Sequence, residues 1–277
     1  MTDYTIAIYC FLDDYLHICH SKEDGRRKVS DAEILTTVLL AARYFHGNFV
    51  TARKYMREHH GMAQLHKSNF NRHLHRLTET ISAIFFALGQ SLKELNLESR
   101  YAIDSFPVAV CKNIRIKRCK LIQHEAYRGY NASKREYFYG FKVQVITTME
   151  GIPVDYFIVA GSVHDCTAFQ SMNIHLPKGS ELYADSAYTF YELEDLFEEC
   201  DEVFLQVERK SNSTRPDIPA VRFLKKYYRK RVETTFSEIT AWYPKKIHAV
   251  TAKGFLIKIV LFLLAFVFEK VNPLSAT

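Results

Sequence analysis

Residues 137–160 read YFYGFKVQVITT, then MEG, then IPVDYFIVA. Tyr137 to Thr148 is rich in aromatic and β-branched residues and predicts a strand. Met149-Glu150-Gly151 predicts a tight turn, and Ile152 to Ala160 the antiparallel partner. Downstream, the pattern predicts a short strand at Glu181–Asp185, an acidic amphipathic helix at Phe190–Asp201, a strand at Val203–Glu208 and a long helix at Pro219–Trp242. Upstream, Ala102-Ile103-Asp104 reads as the end of a strand, because Pro107 is expected to stop a central ladder. The order strand, long loop, hairpin, loop, strand, helix, strand, helix is that of an α/β domain.

The first 98 residues read as helical instead. Ser30-Asp31-Ala32-Glu33 fits a capping box, and Leu35, Val38, Leu39 and Ala42 follow at helical spacing. A second helix is expected from about Phe49 to His59, ending near Gly61, and a third from near Ser68 toward Leu95. Arg72 and Arg76 lie early on the third helix, where a helix-turn-helix module would present side chains to a DNA groove; a solvated helix face has the same pattern. The expected division is a helical DNA-binding region at 1–98 and an α/β region at 99–277.

Charge is unevenly spread. The net charge is +6. Residues 112–135 hold eight Lys or Arg against one acid, and residues 209–231 hold nine against one. Residues 186–208 hold eight acids and no Lys or Arg. A basic face of this kind suits nucleic acid. The six cysteines include no C-x-x-C pair, so zinc-ribbon spacing is absent and free thiols are expected. No basic-then-apolar leader is visible at the N-terminus, which fits a cytoplasmic protein. The apolar run Phe255–Phe268 contains Lys258 and is shorter than the roughly 20 residues a membrane span needs, so it reads as a buried terminal helix.

Three acids end short segments: Asp104, Asp185 and, within Lys230-Arg231-Val232-Glu233, Glu233. If the strands ending at Asp104 and Asp185 are neighbours, both carboxylates emerge at one end of the sheet. Arg222, Lys226, Arg229 and Glu233 are spaced 4, 3 and 4, so they share one face of the long helix. Such a stripe can hold phosphates around a metal-binding acid. It also permits a simple Arg229–Glu233 intrahelical pair, worth about 0.2–0.5 kcal/mol. Three carboxylates without His or Cys suit magnesium, or manganese, better than zinc.

Taken together, Ile103-Asp104-Ser105-Phe106-Pro107-Val108, Tyr127-Arg128-Gly129-Tyr130, Phe138-Tyr139-Gly140-Phe141-Lys142, Val163-His164-Asp165, Tyr183-Ala184-Asp185-Ser186-Ala187-Tyr188 and Arg231-Val232-Glu233-Thr234-Thr235-Phe236 resemble the DDE-type transposases of bacterial insertion sequences, most closely the insertion sequence 982 family. The resemblance implies a ribonuclease H-like mixed sheet flanked by helices, with Asp104, Asp185 and Glu233 holding two magnesium ions. It implies cleavage at an element's 3′ end followed by strand transfer into target DNA. It also implies terminal inverted repeats as a partner, a homodimer on DNA, and a location with the bacterial nucleoid. One departure stands out. Related transposases carry Tyr, Arg, Glu and Lys around the third acid. Here Lys226 stands at the tyrosine position and Thr240 at the lysine position, so the DNA-end contact either comes from Lys245 or Lys246 or is missing. A metal-dependent nuclease without strand transfer and a catalytically inert DNA-binding regulator remain as alternatives.

Overall fold

The computed structural model describes residues 1–19, 27–131, 134–244 and 246–272, apart from the side chain of Arg231. The chain packs as two units, one formed by residues 1–84 with 242–277 and the other by residues 85–241.

The first unit contains α1 (Thr2–Ile18), α2 (Asp31–Tyr44), α3 (Phe49–His60), α4 (Lys67–Arg76) and the start of α5 (Thr78–Leu95). The capping box of α2 forms as expected: Ser30 Oγ accepts from the Glu33 N–H at 3.1 Å, and Glu33 Oε2 accepts from the Ser30 N–H at 2.7 Å. Gly61 closes α3 in the left-handed region at φ +67. The single helix expected from Ser68 to Leu95 is divided at Leu77, which lies between α4 and α5. The apolar run lies in α9 (Ala252–Val271), which packs against α2; Phe268 meets Phe11 edge-on, and Arg43 Nε donates to Glu269 Oε2 at 2.9 Å. Packing therefore groups this C-terminal helix with the N-terminal ones, whereas the division expected at 98/99 follows sequence character alone. Among the described residues, no helix is long and apolar enough to cross a membrane.

The second unit is built on a mixed sheet flanked by helices. Its strands are β1 (Arg100–Cys111), β2 (Arg128–Asn131), β3 (Glu136–Thr148), β4 (Pro153–Ala160), β5 (Glu181–Ala184) and β6 (Phe204–Val207). The path runs β2-β3-β1-β5-β6, with β4 also on β3. The β3–β4 hairpin is the one expected, closed by Gly151 at φ +85, a backbone region that glycine enters without a Cβ penalty. β1 runs antiparallel to β3, while β5 and β6 run parallel to the β1 direction. α6 (Asp165–Gln170), α7 (Tyr191–Leu196) and α8 (Pro219–Trp242) complete the order. The acidic helix spans the expected stretch, but its last part, Phe197–Asp201, is π-helical.

One expectation is corrected. Asp104 does not close β1; the strand continues to Cys111 and carries Pro107 opposite Lys142. Proline is tolerated there because β5 pairs with β1 only from Arg100 to Ala102, so among the described residues no strand pairs with the second edge of β1 at Pro107.

Candidate active site

Side chains alternate across a strand, so neighbours in sequence face opposite layers. Tyr101, Ile103, Leu182, Ala184 and Val207 belong to one buried core. On the opposite face, Phe106 packs on Phe236 of α8 at 6.0 Å between ring centres, and Tyr183 on Tyr228 at 4.7 Å. Asp104 has the parity of Phe106, and Asp185 that of Tyr183, so both carboxylates lie on the α8 side. The parallel register pairs Ala102 with Tyr183; two residues further along, Asp104 comes level with Asp185.

α8 buries Val232, Thr235, Phe236 and Ile239. By spacing, Val221, Leu224, Tyr228, Val232 and Phe236 share one apolar face of this helix; Val232 and Phe236 are buried, Val221 and Tyr228 are half-buried, and Leu224 is not buried. Leu224 is 49% exposed, and Lys225 takes the inward position, its Nζ 2.6 Å from Asp217 Oδ1 and donating to the Val207 carbonyl at 3.1 Å. The basic stripe is consequently split. Arg222 and Lys226 are exposed, whereas the Arg229 side chain is only 17% exposed and reaches three acids. Its guanidinium lies 3.6 Å from Asp185, 3.8 Å from Glu233 and 4.0 Å from Glu208. The intrahelical Arg229–Glu233 pair therefore forms, and the same side chain also reaches Asp185 and Glu208.

Asp104 is half-buried. Burial raises its pKa above the ordinary carboxylate value, and the nearby charges of Asp165 and Glu233 push the same way. The Ser105 N–H, donating to Asp104 Oδ1 at 2.7 Å, and the Arg229 charge act against this rise. Glu233 is the most open, its side chain 68% exposed.

Two acids were not singled out as site residues from sequence. Glu208 follows β6 as Asp185 follows β5, and the in-register pair Ala184–Val207 puts the two acids side by side. Its signal was present in the sequence as an acid just past a short strand. Asp165 is the first residue of α6, after the N-cap His164. It accepts from Ser105 Oγ at 2.6 Å and lies 3.3 Å from Lys142 Nζ. Gln144 donates to its carbonyl at 2.8 Å. Tyr188, almost fully buried, has its pKa pushed well up by burial and by the charges of Asp165 and Asp104.

Among the described residues, no group of three His, Cys, Asp or Glu side chains is arranged to hold a metal ion. The donor chemistry nevertheless suits a hard divalent cation, since the acids around Arg229 offer oxygen only. Arg72 and Arg76 lie on α4 of the helical unit, where with Arg27, Lys28 and His73 they line a small pocket. Lys246 is exposed, and Lys245 lies outside the described residues. Thr240, at the expected lysine position, donates to the Phe236 carbonyl at 2.8 Å.

The family described as "Transposase DDE domain" matches residues 96–268. No curated protein and no solved structure matches the chain.

Proposed function

The chain belongs to the family of DDE-domain transposases, and on that footing we propose that it cleaves the 3′ ends of an insertion sequence and joins them to target DNA. Family membership carries DNA as the substrate, a nuclease or transferase chemistry and a general dependence on divalent metal. The mixed sheet flanked by helices is consistent with a ribonuclease H-like catalytic domain. The observation that carries the finer reading is the convergence of Asp104 and Asp185 on one sheet face beneath the α8 turn bearing Arg229 and Glu233.

In this reading Asp104, Asp185 and Glu233 hold two magnesium ions, with manganese as a substitute. Such a pair supplies activation of the attacking oxygen and stabilisation of the leaving one. The chain's own cations have a separate task. Arg229 stands among the acids, where it can meet a phosphate held there, and Arg222 and Lys226 extend along the exposed side of α8. Lys246, with Lys245, contacts the element end in place of the lysine absent at Thr240. In the helical region, α3 and α4 act as a helix-turn-helix-like pair, with Arg72 and Arg76 toward DNA. The motif set supports an element of the insertion sequence 982 type, acting as a homodimer on paired ends in the bacterial nucleoid.

Purified protein with magnesium is expected to nick DNA carrying the terminal repeat and to yield joined products with target DNA. Full activity in Asp104→Asn or Glu233→Gln would defeat the site assignment. Nicking without joined products would reduce the protein to a nuclease, and neither product would make it a binding protein.

A further inference from the structure

The helical unit contains a half-open cleft of about 650 Å³, lined from α3, α4, α9, Pro244 and residues 247–251. Arg53, Lys67, His75, His248 and Lys258 line it, and among its described lining residues there is no Asp or Glu. Three helices also begin at this cleft: α3 at Asn48 and Phe49, α4 at Lys67, and α9 at Thr251. Each brings the positive end of its dipole. Asn48, His66 and Thr251 already cap first-turn amides, so the field of the dipoles, more than free N–H groups, is what remains on offer.

The cations have few ways to discharge internally. Lys258 donates to the carbonyls of Gly47 at 3.0 Å and His248 at 2.8 Å and lies 4.5 Å over the Phe49 ring. These contacts hold its position without neutralising it, and burial lowers its pKa. Arg53 donates to the Leu65 carbonyl and lies 5.0 Å over the Phe70 ring; burial and then Arg57 lower its pKa. A concave, acid-free surface with part-buried cations lowers its own electrostatic cost by taking up an anion. The cleft's phenylalanines do not favour base recognition, because Phe70 and Phe262 are each only 1% exposed and half-buried Phe49 has Lys258 Nζ over its ring.

We propose that this cleft is a second DNA-contact site, which grips the phosphodiester backbone without reading sequence and which the C-terminal residues 247–258 complete. The proposal rests on the reading that the protein acts on DNA. It assigns the cleft side of α4 to backbone contact, distinct from the Arg72 and Arg76 side, which lines a different pocket.

The test is fluorescence anisotropy on the full chain without divalent metal, using an element-end duplex and a scrambled duplex over a range of salt. Lys67→Glu and His248→Glu change exposed positions, and an added acid at the start of α4 suits its dipole. The double variant should bind both duplexes about tenfold more weakly, and the slope of log affinity against log salt should fall by about 0.9 for each phosphate that the cleft no longer neutralises. Lys67→Gln should give a smaller loss of the same kind. Unchanged affinity on both duplexes would overturn the proposal, and so would a loss confined to the element-end duplex. Wild-type protein that binds neither duplex would defeat the transposase reading along with it. Wild-type binding with unaffected cleft variants would defeat the cleft alone.

Discussion

Replacing Arg229 with alanine tests whether this side chain serves as the counter-charge of the acid cluster. Its guanidinium lies 3.6, 3.8 and 4.0 Å from Asp185, Glu233 and Glu208, too far for close hydrogen bonds but well within reach of direct attraction. Two unit charges 4 Å apart attract by about 4 kcal/mol at an effective dielectric of 20. That figure is too large here, because the acid side chains are 31–68% exposed and water screens them. Exposed pairs are worth about 0.2–1 kcal/mol each, so three partners sharing one guanidinium give roughly 1–2 kcal/mol. Arg229→Ala should therefore lower the melting temperature of the metal-free protein by roughly 2–8 °C. Divalent cation should offset most of that loss, since bound cation replaces the missing charge and stabilises by mass action. Calorimetric melting over a magnesium series reads both quantities. An equal loss at every magnesium concentration, or no loss without metal, would refute the counter-charge role.

Asp104→Asn should remove activity yet stabilise the metal-free fold. Burial raises the Asp104 pKa, so its ionised form costs stability above the folded pKa, and the cost fades as pH falls through that value; the gain from Asn should fade likewise in melts taken toward acid pH. Lys93 and Asp155 are both buried, 3.4 Å apart, and Lys93 also donates to the His175 carbonyl at 2.9 Å. Lys93→Met should cost about 3–5 kcal/mol in urea unfolding at neutral pH, with Lys93→Met/Asp155→Asn recovering much of it. Burial raises the Asp155 pKa and Lys93 opposes that rise, so the single variant's loss should shrink as the medium is acidified. Gly140→Ala should cost about 1–3 kcal/mol in the same assay, because its Cβ would stand 2.2 Å from the Val108 carbonyl oxygen across the β1–β3 ladder.

Much of this is legible in the sequence. The capping box at Ser30, the hairpin around Gly151 and the limits of α8 at Pro219 and Trp242 rest on contacts between residues close in sequence. What escapes depends on distant partners. Pro107 reads as a stop because a proline in a paired strand loses a ladder bond; that β5 releases this edge after Ala102 is a property of another segment. Apolar character places Leu224 inward, yet Lys225 takes that place because Asp217 and the Val207 carbonyl are there to satisfy its charge.

The same boundary runs through the candidate site. Residue types and spacing alone determined that three acids sit at strand and helix positions beside a basic stripe, since periods of 2 and 3.6 are written into local order. Register decided the rest. The offset between β1 and β5 brings Asp104 level with Asp185, and that between β5 and β6 adds Glu208. The seating of α8 turns Arg229 inward among the acids while leaving Arg222 and Lys226 in water. α9 joins helices more than 200 residues earlier in the chain, as its 211-residue-distant Lys258–Gly47 hydrogen bond shows. These choices follow from which buried surfaces meet and which charges find partners, and no short stretch of chain contains both sides of such a contact.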